Sequence, residues 1–299
     1  MPDRPSIVCP IDFSDTSRTA LNYAAAIADH VGARLLVVSV DDPLLASAAE
    51  SAGFSSLNEE TEDELRRFVM QTVVTPSSRA ALDFVVRTGK PAPEILRIAQ
   101  EAGSRLIVMS SQGRSGLGKT FFGSTTERVL RETTIPVLVT PKDARQVVSV
   151  ADMSRRLGRV IAPVDLTAAS PDQVKIAAAI ALALGVPLLL AHILESVYIP
   201  PRVRAAISGT DSARRGAAEA RILDLVESSR LGDSVETIVL SGDPSEEIVK
   251  LADARGAGLI VMGLHSSGLL GPRMGSVTYR VLCLARALVL ALPPGAGTA

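Results

Sequence analysis

The feature that most constrains the fold of this chain is an internal repeat with a long and nearly constant period. Asp12 recurs as Asp165, 153 positions later, and the segments around it recur with the same spacing. Towards the end of each copy the spacing falls to 152, since Gly123 corresponds to Gly275. Solenoid units repeat roughly every 20 to 50 residues, whereas a period this long indicates two copies of a globular domain.

The length of 299 residues leaves room for two domains that each bury a core of their own. We predict a first domain over residues 1–142, a linker over 143–158 and a second domain over 159–294. Aromatic residues make up only 3% of the chain and tryptophan is absent, so the cores must be built from Ala, Val, Leu and Ile.

The charge balance and the cysteine content limit which partners and which cellular compartment the sequence predicts. The 31 basic and 32 acidic residues nearly cancel and form no basic block, so no nucleic-acid partner is expected. Cys9 and Cys283 lie in apolar runs without C-x-x-C spacing, which predicts two buried thiols in a reducing, cytoplasmic compartment and no structural zinc site. The first ten residues lack the apolar run of a signal peptide.

One apolar stretch, residues 176–194, reaches the length of a membrane span. Gly185 and Pro187 interrupt it, and the corresponding stretch of the first copy contains charged residues. A buried helix, a turn and a buried strand explain this pattern better, so no membrane partner is expected.

Short apolar runs alternate with helical segments in both halves. In the first half we predict strands at Ile7–Ile11, Leu35–Val40, Asp83–Arg87, Arg105–Met109 and Pro136–Val139. In the second half we predict strands near 160–164, 188–193, 236–240, 259–262 and 287–291. Apolar strands that alternate with helices indicate a parallel sheet covered on both faces. The prediction is an α/β fold of two tandem doubly wound domains, each with five parallel strands in the order 3-2-1-4-5.

Two features of the first half fall at the carboxyl ends of predicted strands, where open parallel sheets bind ligands. Asp12 directly follows the first strand. The loop 110–123 spans 14 residues, compared with roughly two to six in most such connections, and contains four glycines. It leads into Ser124–Glu127, a capping-box pattern at a helix start that suits a phosphate. Arg114 and Lys119 add positive charge, so we predict an anion site.

Two better-known phosphate motifs fit this loop poorly. The glycines of 113–118 are in the wrong order for a dinucleotide fingerprint and follow the fourth strand rather than the first. Residues 113–120 match G-x-x-x-x-G-K-T by letter, but three residues separate that lysine and threonine from the helix they should open. A true P-loop is therefore the weaker interpretation.

Together these residues resemble the universal stress protein family, and the duplication resembles its tandem-domain members. The resemblance rests on Asp12 after the first strand, Val40 at the end of the second, and the loop pattern G-x2-G-x9-G-[ST]. Gly113 and Gly123–Ser124 fit this pattern, whereas Ser110 stands where the family has its first glycine and would crowd a nucleotide.

The resemblance implies that the first half binds ATP together with Mg²⁺. The implied adenine and ribose positions are Pro10, Asp12, Val40 and Met109, and the implied phosphate positions are Gly113, Gly123, Ser124 and Thr125. The complete candidate site also includes Ser110 and Arg114. No catalytic residue is assigned, and the metal ligands stay open.

The second copy is expected to bind nucleotide weakly or not at all. Its candidate residues are Asp165, Ile193, Gly263, Gly275 and Ser276. Ser266 replaces the second glycine of the loop, and eight residues rather than nine separate this position from the last glycine. Lys119 has no basic counterpart there. A loop whose length matches a triphosphate should not tolerate shortening easily.

The resulting prediction is an ATP-binding stress-response protein that is regulatory and at most a slow ATPase. An interaction module of the same fold that binds no nucleotide is the alternative, and a nucleotidyl-transfer enzyme is a weaker third interpretation. The last strands, Ile135–Thr140 and Ala287–Ala291, would be sheet edges, which proteins tend to pair or cover. In the resembled family this strand pairs two domains, which predicts an intramolecular pseudo-dimer, with a homodimer of two whole chains as the open alternative.

Overall fold

The computed structural model describes residues 4–54, 56–73, 81–113, 122–147, 149–195, 210–231, 235–264 and 274–296. The strands are β1 Ser6–Pro10, β2 Arg34–Asp41, β3 Ala81–Thr88, β4 Ser104–Ser110, β5 Val137–Thr140, β6 Val160–Pro163, β7 Leu188–Glu195, β8 Glu236–Gly242, β9 Leu259–Gly263 and β10 Leu288–Leu292. The helices are α1 Asp15–Val31, α2 Pro43–Ser51, α3 Leu57–Thr72, α4 Pro91–Glu101, α5 Ser124–Glu132, α6 Val150–Leu157, α7 Ser170–Leu184, α8 Thr210–Ser228, α9 Pro244–Ala254 and α10 Ser276–Leu284.

All ten strands belong to one sheet with the order β3-β2-β1-β4-β5-β10-β9-β6-β7-β8. Each half contributes five parallel strands, and the predicted order 3-2-1-4-5 is confirmed. The halves meet where β5 and β10 run antiparallel, with Leu138 opposite Leu290. Neither of these last strands is therefore an edge of the sheet, and the outer edges are β3 and β8.

Two apolar cores lie on opposite faces of the sheet, because consecutive strand residues point to opposite sides. Cys9 belongs to the core under α1, α3, α6, α7 and α8. Its neighbour Val8 belongs to the core under α4, α5, α9 and α10. Burial raises the pKa of the Cys9 thiol. Cys283 was expected to be buried as well, but it is only half-buried on α10.

Local signals explain the ends of the longest helices. Ser14 caps α1 by accepting the N–H of Ser17, and Gly32 ends the helix in the left-handed conformation at φ 66°. Gly185 ends α7 in the same way at φ 65°, and β7 begins three residues later. The apolar stretch 176–194 is thus a helix, a turn and a strand, as predicted. No helix within the described ranges is long and apolar enough to cross a membrane.

Two helices occur in addition to the single helix expected between successive strands of each half. The stretch 41–58 contains α2, which Asp42 caps by accepting the N–H of Leu44 at 2.8 Å. The segment predicted as a linker contains α6, whose Met153 and Leu157 are buried. Gly258 fixes the end of α6 by donating its N–H to Leu157 O at 2.7 Å, and a Cβ there would lie 2.6 Å from Leu157 Cα. The domain boundaries themselves stay a prediction.

Candidate functional site

In the first half, the loops after β1 and β4 meet at the carboxyl edge of the sheet. β2 and β3 lie on one side of β1, and β4 and β5 lie on the other, so the strand order switches between β1 and β4. Doubly wound sheets usually bind their ligands in the crevice outside such a switch point. Asp12 follows β1, and Ser110 ends β4 with Gly113 three residues later. The topology therefore brings together the two segments that the sequence singled out.

The Asp12 carboxylate is held between the start of α1 and the β4 loop. Its Oδ1 accepts the N–H of Ser14 at 3.1 Å and the Ser14 hydroxyl at 2.5 Å. Its Oδ2 lies so close to Gly113 that a Cβ at that position would overlap it. Phe13, between Asp12 and Ser14, adopts a positive φ of 63°, and the second half repeats this conformation at Leu166 with φ 58°. This turn is a shared feature that the sequence did not predict.

The start of the β4 loop is fixed against α1 through one carbonyl group. Gln112 O accepts the hydroxyl of Thr16 and the hydroxyl of Ser110, both at 2.8 Å. Ser110 is nearly buried, with 9% of its surface exposed, and its hydroxyl is engaged within the loop. The hydroxyl that replaces the first loop glycine therefore has a structural partner.

The start of α5 is not the capping box that the sequence predicted. Gly123 is the N-cap, with φ −64° and ψ 133°, and no side chain there caps the helix. The Glu127 side chain forms an ion pair with Arg131, one turn further along the helix, at 2.7 Å. It therefore does not accept the backbone N–H at the start of the helix, as a capping box requires. Ser124 is therefore the first helical residue rather than the cap, because the chain already turns at the glycine. The first N–H groups of α5 receive no N-cap side chain, which is the arrangement that favours an anion.

Two hydrogen bonds attach the start of α5 to the end of β4. Gly123 donates its N–H to Ser111 O at 2.8 Å, and the Thr126 hydroxyl donates to Ser110 O at 2.9 Å. The second half has the same pair, from Gly275 to Leu264 O at 2.9 Å and from Thr278 to Gly263 O at 2.8 Å. The two helix starts are thus equivalent in geometry.

The remaining predicted residues of the first site have varied positions. Pro10 ends β1 and Val40 lies near the end of β2, both half-buried, whereas Met109 is buried in β4. Ser124 is exposed and Thr125 half-buried in the first turn of α5. Arg114 lies outside the described residues.

The second half has a cleft of about 470 Å³ at the corresponding edge. All five residues predicted for the second site line it: Asp165, Ile193, Gly263, Gly275 and Ser276. The sequence ranked this site below the first, yet its residues surround a well-formed cavity. A cleft of this volume is within the usual range for small-molecule sites.

Asp165 is held differently from its counterpart Asp12. Its Oδ1 accepts the N–H and the hydroxyl of Thr167 at 3.0 and 2.7 Å, and the Ser170 hydroxyl at 3.1 Å. These bonds tie Asp165 to the start of α7, so the aspartate stands at the rim of the cleft.

Gln173 forms part of the cleft floor and was missed by sequence reasoning. Its Nε2 donates to Pro163 O at 2.7 Å and to Val261 O at 3.0 Å, so it bridges the ends of β6 and β9. A Cβ at Gly263 would lie 3.9 Å from the Gln173 Oε1. In the first half the corresponding residues are Ala20 and Ser110. In the second half the helix thus has the larger side chain, Gln173, and the strand has the smaller residue, Gly263.

His192 is a second wall residue that the sequence reasoning missed. Its Nδ1 lies 2.8 Å from Val164 O. A carbonyl oxygen only accepts, so Nδ1 carries the proton, and Nε2 is the acceptor in the neutral ring. The corresponding residue of the first half is the buried Ser39. A comparison of the two copies outside the motifs would have found both His192 and Gln173.

A polar crevice of about 380 Å³ adjoins the cleft around Asp243. The Ser245 hydroxyl, the Glu246 N–H and the Arg280 guanidinium donate to this carboxylate and lower its pKa to about 2. The corresponding residue of the first half is the exposed Lys90. The charge beside the two sites is therefore reversed between the halves.

No group of three His, Cys, Asp or Glu side chains within the described ranges is placed to hold a metal ion.

Comparison with known proteins identifies a family. The model of the Universal stress protein family matches this chain twice, over residues 4–141 and 157–293. Universal stress protein YxiE of Bacillus subtilis (strain 168) is 32% identical over 138 residues, which are 43% of this chain and 93% of that protein. Universal stress protein MJ0531 of Methanocaldococcus jannaschii is 31% identical over 148 residues, 47% of this chain and 84% of that protein.

Solved structures match over both halves. A putative universal stress protein from Pseudomonas aeruginosa UCBPP-PA14 has a TM-score of 0.66 at 20% identity, and the match covers 97% of this chain and 94% of that one. A universal stress protein from Archaeoglobus fulgidus DSM 4304 has a TM-score of 0.67 at 19% identity, and the match covers 97% of this chain and 98% of that one. At these identities the likeness concerns the fold alone.

Proposed function

The chain belongs to the universal stress protein family, and on this premise we propose that it binds ATP at the carboxyl edge of its first half. The observation that carries the proposal is the convergence of Asp12, Gly113 and the start of α5 at the strand crossover. A carboxylate suits the hydroxyls of a ribose, and an uncapped helix start suits phosphates.

The phosphate end is the better supported part of this site. Gly123 at the N-cap presents backbone to the crevice, and its hydrogen bond to Ser111 holds the helix start in place. The hydroxyls of Ser124 and Thr125 lie in the first turn, where they add donors. We propose that Mg²⁺ enters with the phosphates, because this ion usually keeps several waters and takes only one or two protein ligands.

We propose that the first half binds nucleotide more tightly than the second. The described helix starts are alike in geometry, so the ranking rests on the shorter loop of the second half, on charge and on the cleft floor. Lys90 stands beside the first site, where the second half has Asp243. In the second half Gln173 and His192 also replace small residues at the base of the cleft. The loss of the Lys90 cation and a changed floor both disfavour ATP there.

We propose a regulatory role rather than rapid turnover. The Asp12 carboxylate already accepts two hydrogen bonds from Ser14, so it is suited to bind and orient a ligand rather than to take up a proton. A cytoplasmic stress-response function is part of the same proposal. It is supported by family membership and by two cysteines that are unpaired, the state expected in a reducing compartment.

We also propose that the two halves act as an intramolecular pseudo-dimer. The antiparallel pairing of β5 with β10 supports this, because it uses the last strand of each half to continue the sheet. Association of two whole chains would then have to use another surface.

Calorimetric titration with ATP and Mg²⁺ tests the nucleotide proposal. In Gly113→Ala the new Cβ displaces the Asp12 carboxylate, so the affinity for ATP should fall at least about tenfold, or ~1.4 kcal/mol. Gly275→Ala at the second site should leave the tighter binding event within about twofold of wild type. Gly216→Ala is the matched control, since this exposed glycine in α8 has no atom within 4 Å of an added Cβ.

Equal losses in Gly113→Ala and Gly275→Ala would contradict the ranking of the two sites. No heat and no shift in melting temperature at millimolar ATP would contradict nucleotide binding altogether. The alternative, an interaction module of the same fold, would then hold.

A further inference from the structure

An apolar cavity of about 350 Å³ lies where the two halves join, on the face of the sheet that carries α1 and α7. These two helices cover the inner strands of their own halves and leave a gap above β5 and β10. The linker helix α6 packs against both of them and closes one side of the gap with Val150, Met153 and Leu157. Leu138 and Leu290, opposite each other in β5 and β10, lie on the floor.

The apolar part of the lining is nearly symmetric between the halves. Ile27 of α1 and Ile180 of α7 line opposite walls and occupy equivalent positions of the repeat. Leu106 of β4 and Leu259 of β9 form a second such pair. Both ends of the cavity can therefore accommodate hydrocarbon.

The polar part of the lining breaks this symmetry. Arg105 at the start of β4 and His30 at the end of α1 line the cavity and are both exposed. Their counterparts in the second half are Gly258 and Ala183, which carry no charge. Among the described residues, no carboxylate forms an ion pair with Arg105 or His30. Among the described lining residues, one end of the cavity thus carries the Arg105 guanidinium and the His30 imidazole, and the other end is apolar.

The cavity is open to solvent rather than sealed in the core. Ile27, Ile180 and Leu184 are only half-buried, and Val31 at the rim is 54% exposed. A volume of about 350 Å³ lies within the range of small-molecule sites, roughly 300 to 1,000 Å³. Apolar walls with a few polar groups at one end are also the usual composition of such sites.

We propose that this cavity binds a free single-chain fatty acid. The carboxylate would lie against Arg105 and His30, and the alkyl chain would run between α1 and α7 towards Ala183. Arg105 stands at the start of β4, whereas Ser110 and Gly113 of the nucleotide site lie at and beyond its end. The two sites are separated by the length of that strand, so the proposal does not depend on nucleotide binding.

Titration of the full chain with dodecanoate, below its critical micelle concentration, tests the proposal. One molecule should bind per chain and saturate. Ala183→Leu fills the cavity from an exposed position of α7 and should weaken binding more than tenfold. Ala179→Leu, an equally exposed change one turn earlier on the same helix, is the matched control and should bind as wild type does.

A second pair of variants tests the charge. Arg105→Gln should weaken dodecanoate binding about tenfold but leave the binding of dodecan-1-ol unchanged, because the alcohol has no carboxylate to pair. Lys142→Gln, which removes an exposed cation elsewhere, should change neither. ATP titrations of Ala183→Leu should match wild type, which separates this site from the nucleotide site.

Three results would overturn the proposal. The first is the absence of saturable dodecanoate binding, and the second is equal behaviour of the cavity variants and their controls. The third is a chain that binds no dodecanoate but sediments as a dimer, which Ala183→Leu dissociates. That result would assign the cavity to contact with a second copy of the chain.

Discussion

Individual residues add further differences between the two halves to the difference in loop length. Gln173 stands where the first half has Ala20, and its amide joins two strand ends at the floor of the cleft. Gly263 stands where the first half has Ser110 and leaves room for this side chain. The sequence predicts an asymmetry at one missing loop residue, and the structure adds a second location at the floor of the cleft.

Two buried threonines provide a stability test at the residue scale. Thr140 in β5 is fully buried, and its hydroxyl has no hydrogen-bond partner in the described chain. Thr126 in α5 is also buried, but its hydroxyl donates to Ser110 O at 2.9 Å. Thr140→Val should therefore raise the free energy of unfolding by about 1 kcal/mol, because it removes an unsatisfied group.

Thr126→Val is the matched variant for that experiment. It should lower the free energy of unfolding by about 1–2 kcal/mol, since it leaves Ser110 O without this donor. Urea denaturation measures both changes. A less stable Thr140→Val would show that the Thr140 hydroxyl is solvated in solution and that the argument fails.

At the scale of elements, the starts of helices carry much of the binding geometry. Helices α5 and α10 both begin at a glycine and are both fixed by a threonine that donates to the preceding strand. Helix α9 begins instead at Asp243, whose side chain accepts the N–H of Glu246 at 3.0 Å. At α5 and α10 the N-cap glycine has no side chain to occupy the first N–H groups, so these groups are left for a ligand. At α9 the Asp243 side chain accepts one of these N–H groups itself.

The start of α9 gives the chain a defined response to acid. The bonds from Ser245, Glu246 and Arg280 lower the pKa of Asp243 from 3.8 to about 2. A carboxyl group whose pKa is lower in the folded than in the unfolded state stabilises the fold above the unfolded pKa. This contribution is lost as the pH falls through about 2.

Asp243→Asn tests this response because asparagine still caps a helix but carries no charge. Wild type should be more stable than Asp243→Asn at pH 6, and the difference should shrink between pH 4 and pH 2. Urea denaturation across this range measures the difference. Asp253→Asn, the same change at an exposed position of α9, serves as the control. A difference for Asp243→Asn that does not vary with pH would contradict the argument.

At the scale of the whole molecule, the junction between the halves determines which surfaces the chain presents. On one face Phe122 and Tyr279 pack across it with ring centroids 6.4 Å apart. On the other face α6 closes one side of the cavity above it, and Tyr23 of α1 donates to Arg145 O of the connecting segment at 3.1 Å. The same apolar core therefore includes residues of both halves.

This continuity predicts energetic coupling across the junction. Val139 and Val289 are buried and lie directly opposite each other in β5 and β10. Changing either to Ala should cost about 1–2 kcal/mol of unfolding free energy. The double variant should depart from the sum by at least about 0.5 kcal/mol, because the two side chains share a contact.

A distant pair provides the control for that cycle. Val37 is equally buried but lies in β2, three strands away from Val139. Val139→Ala and Val37→Ala should add to within about 0.5 kcal/mol. Strict additivity for Val139 and Val289 would indicate that the halves are not packed together in solution.

The amino-acid sequence was enough to predict the duplicated α/β fold and the order of its strands. These follow from local patterns: apolar runs of strand length, helical spacing, and glycines such as Gly32 and Gly185 that adopt the left-handed conformation at helix ends. The repeat also placed Asp12 and Gly113 at the same edge of the sheet, because parallel strands bring their carboxyl ends together.

The packing of helix α6, the register between the last strands, and the positions of Gln173 and His192 in the cleft became apparent in the folded chain. Each of these depends on contacts between residues far apart in the chain, such as Gln173 with Val261 or Leu138 with Leu290. A local pattern shows that a side chain is apolar or can donate a hydrogen bond. It does not show which distant group the side chain meets, because that depends on the packing of the whole sheet.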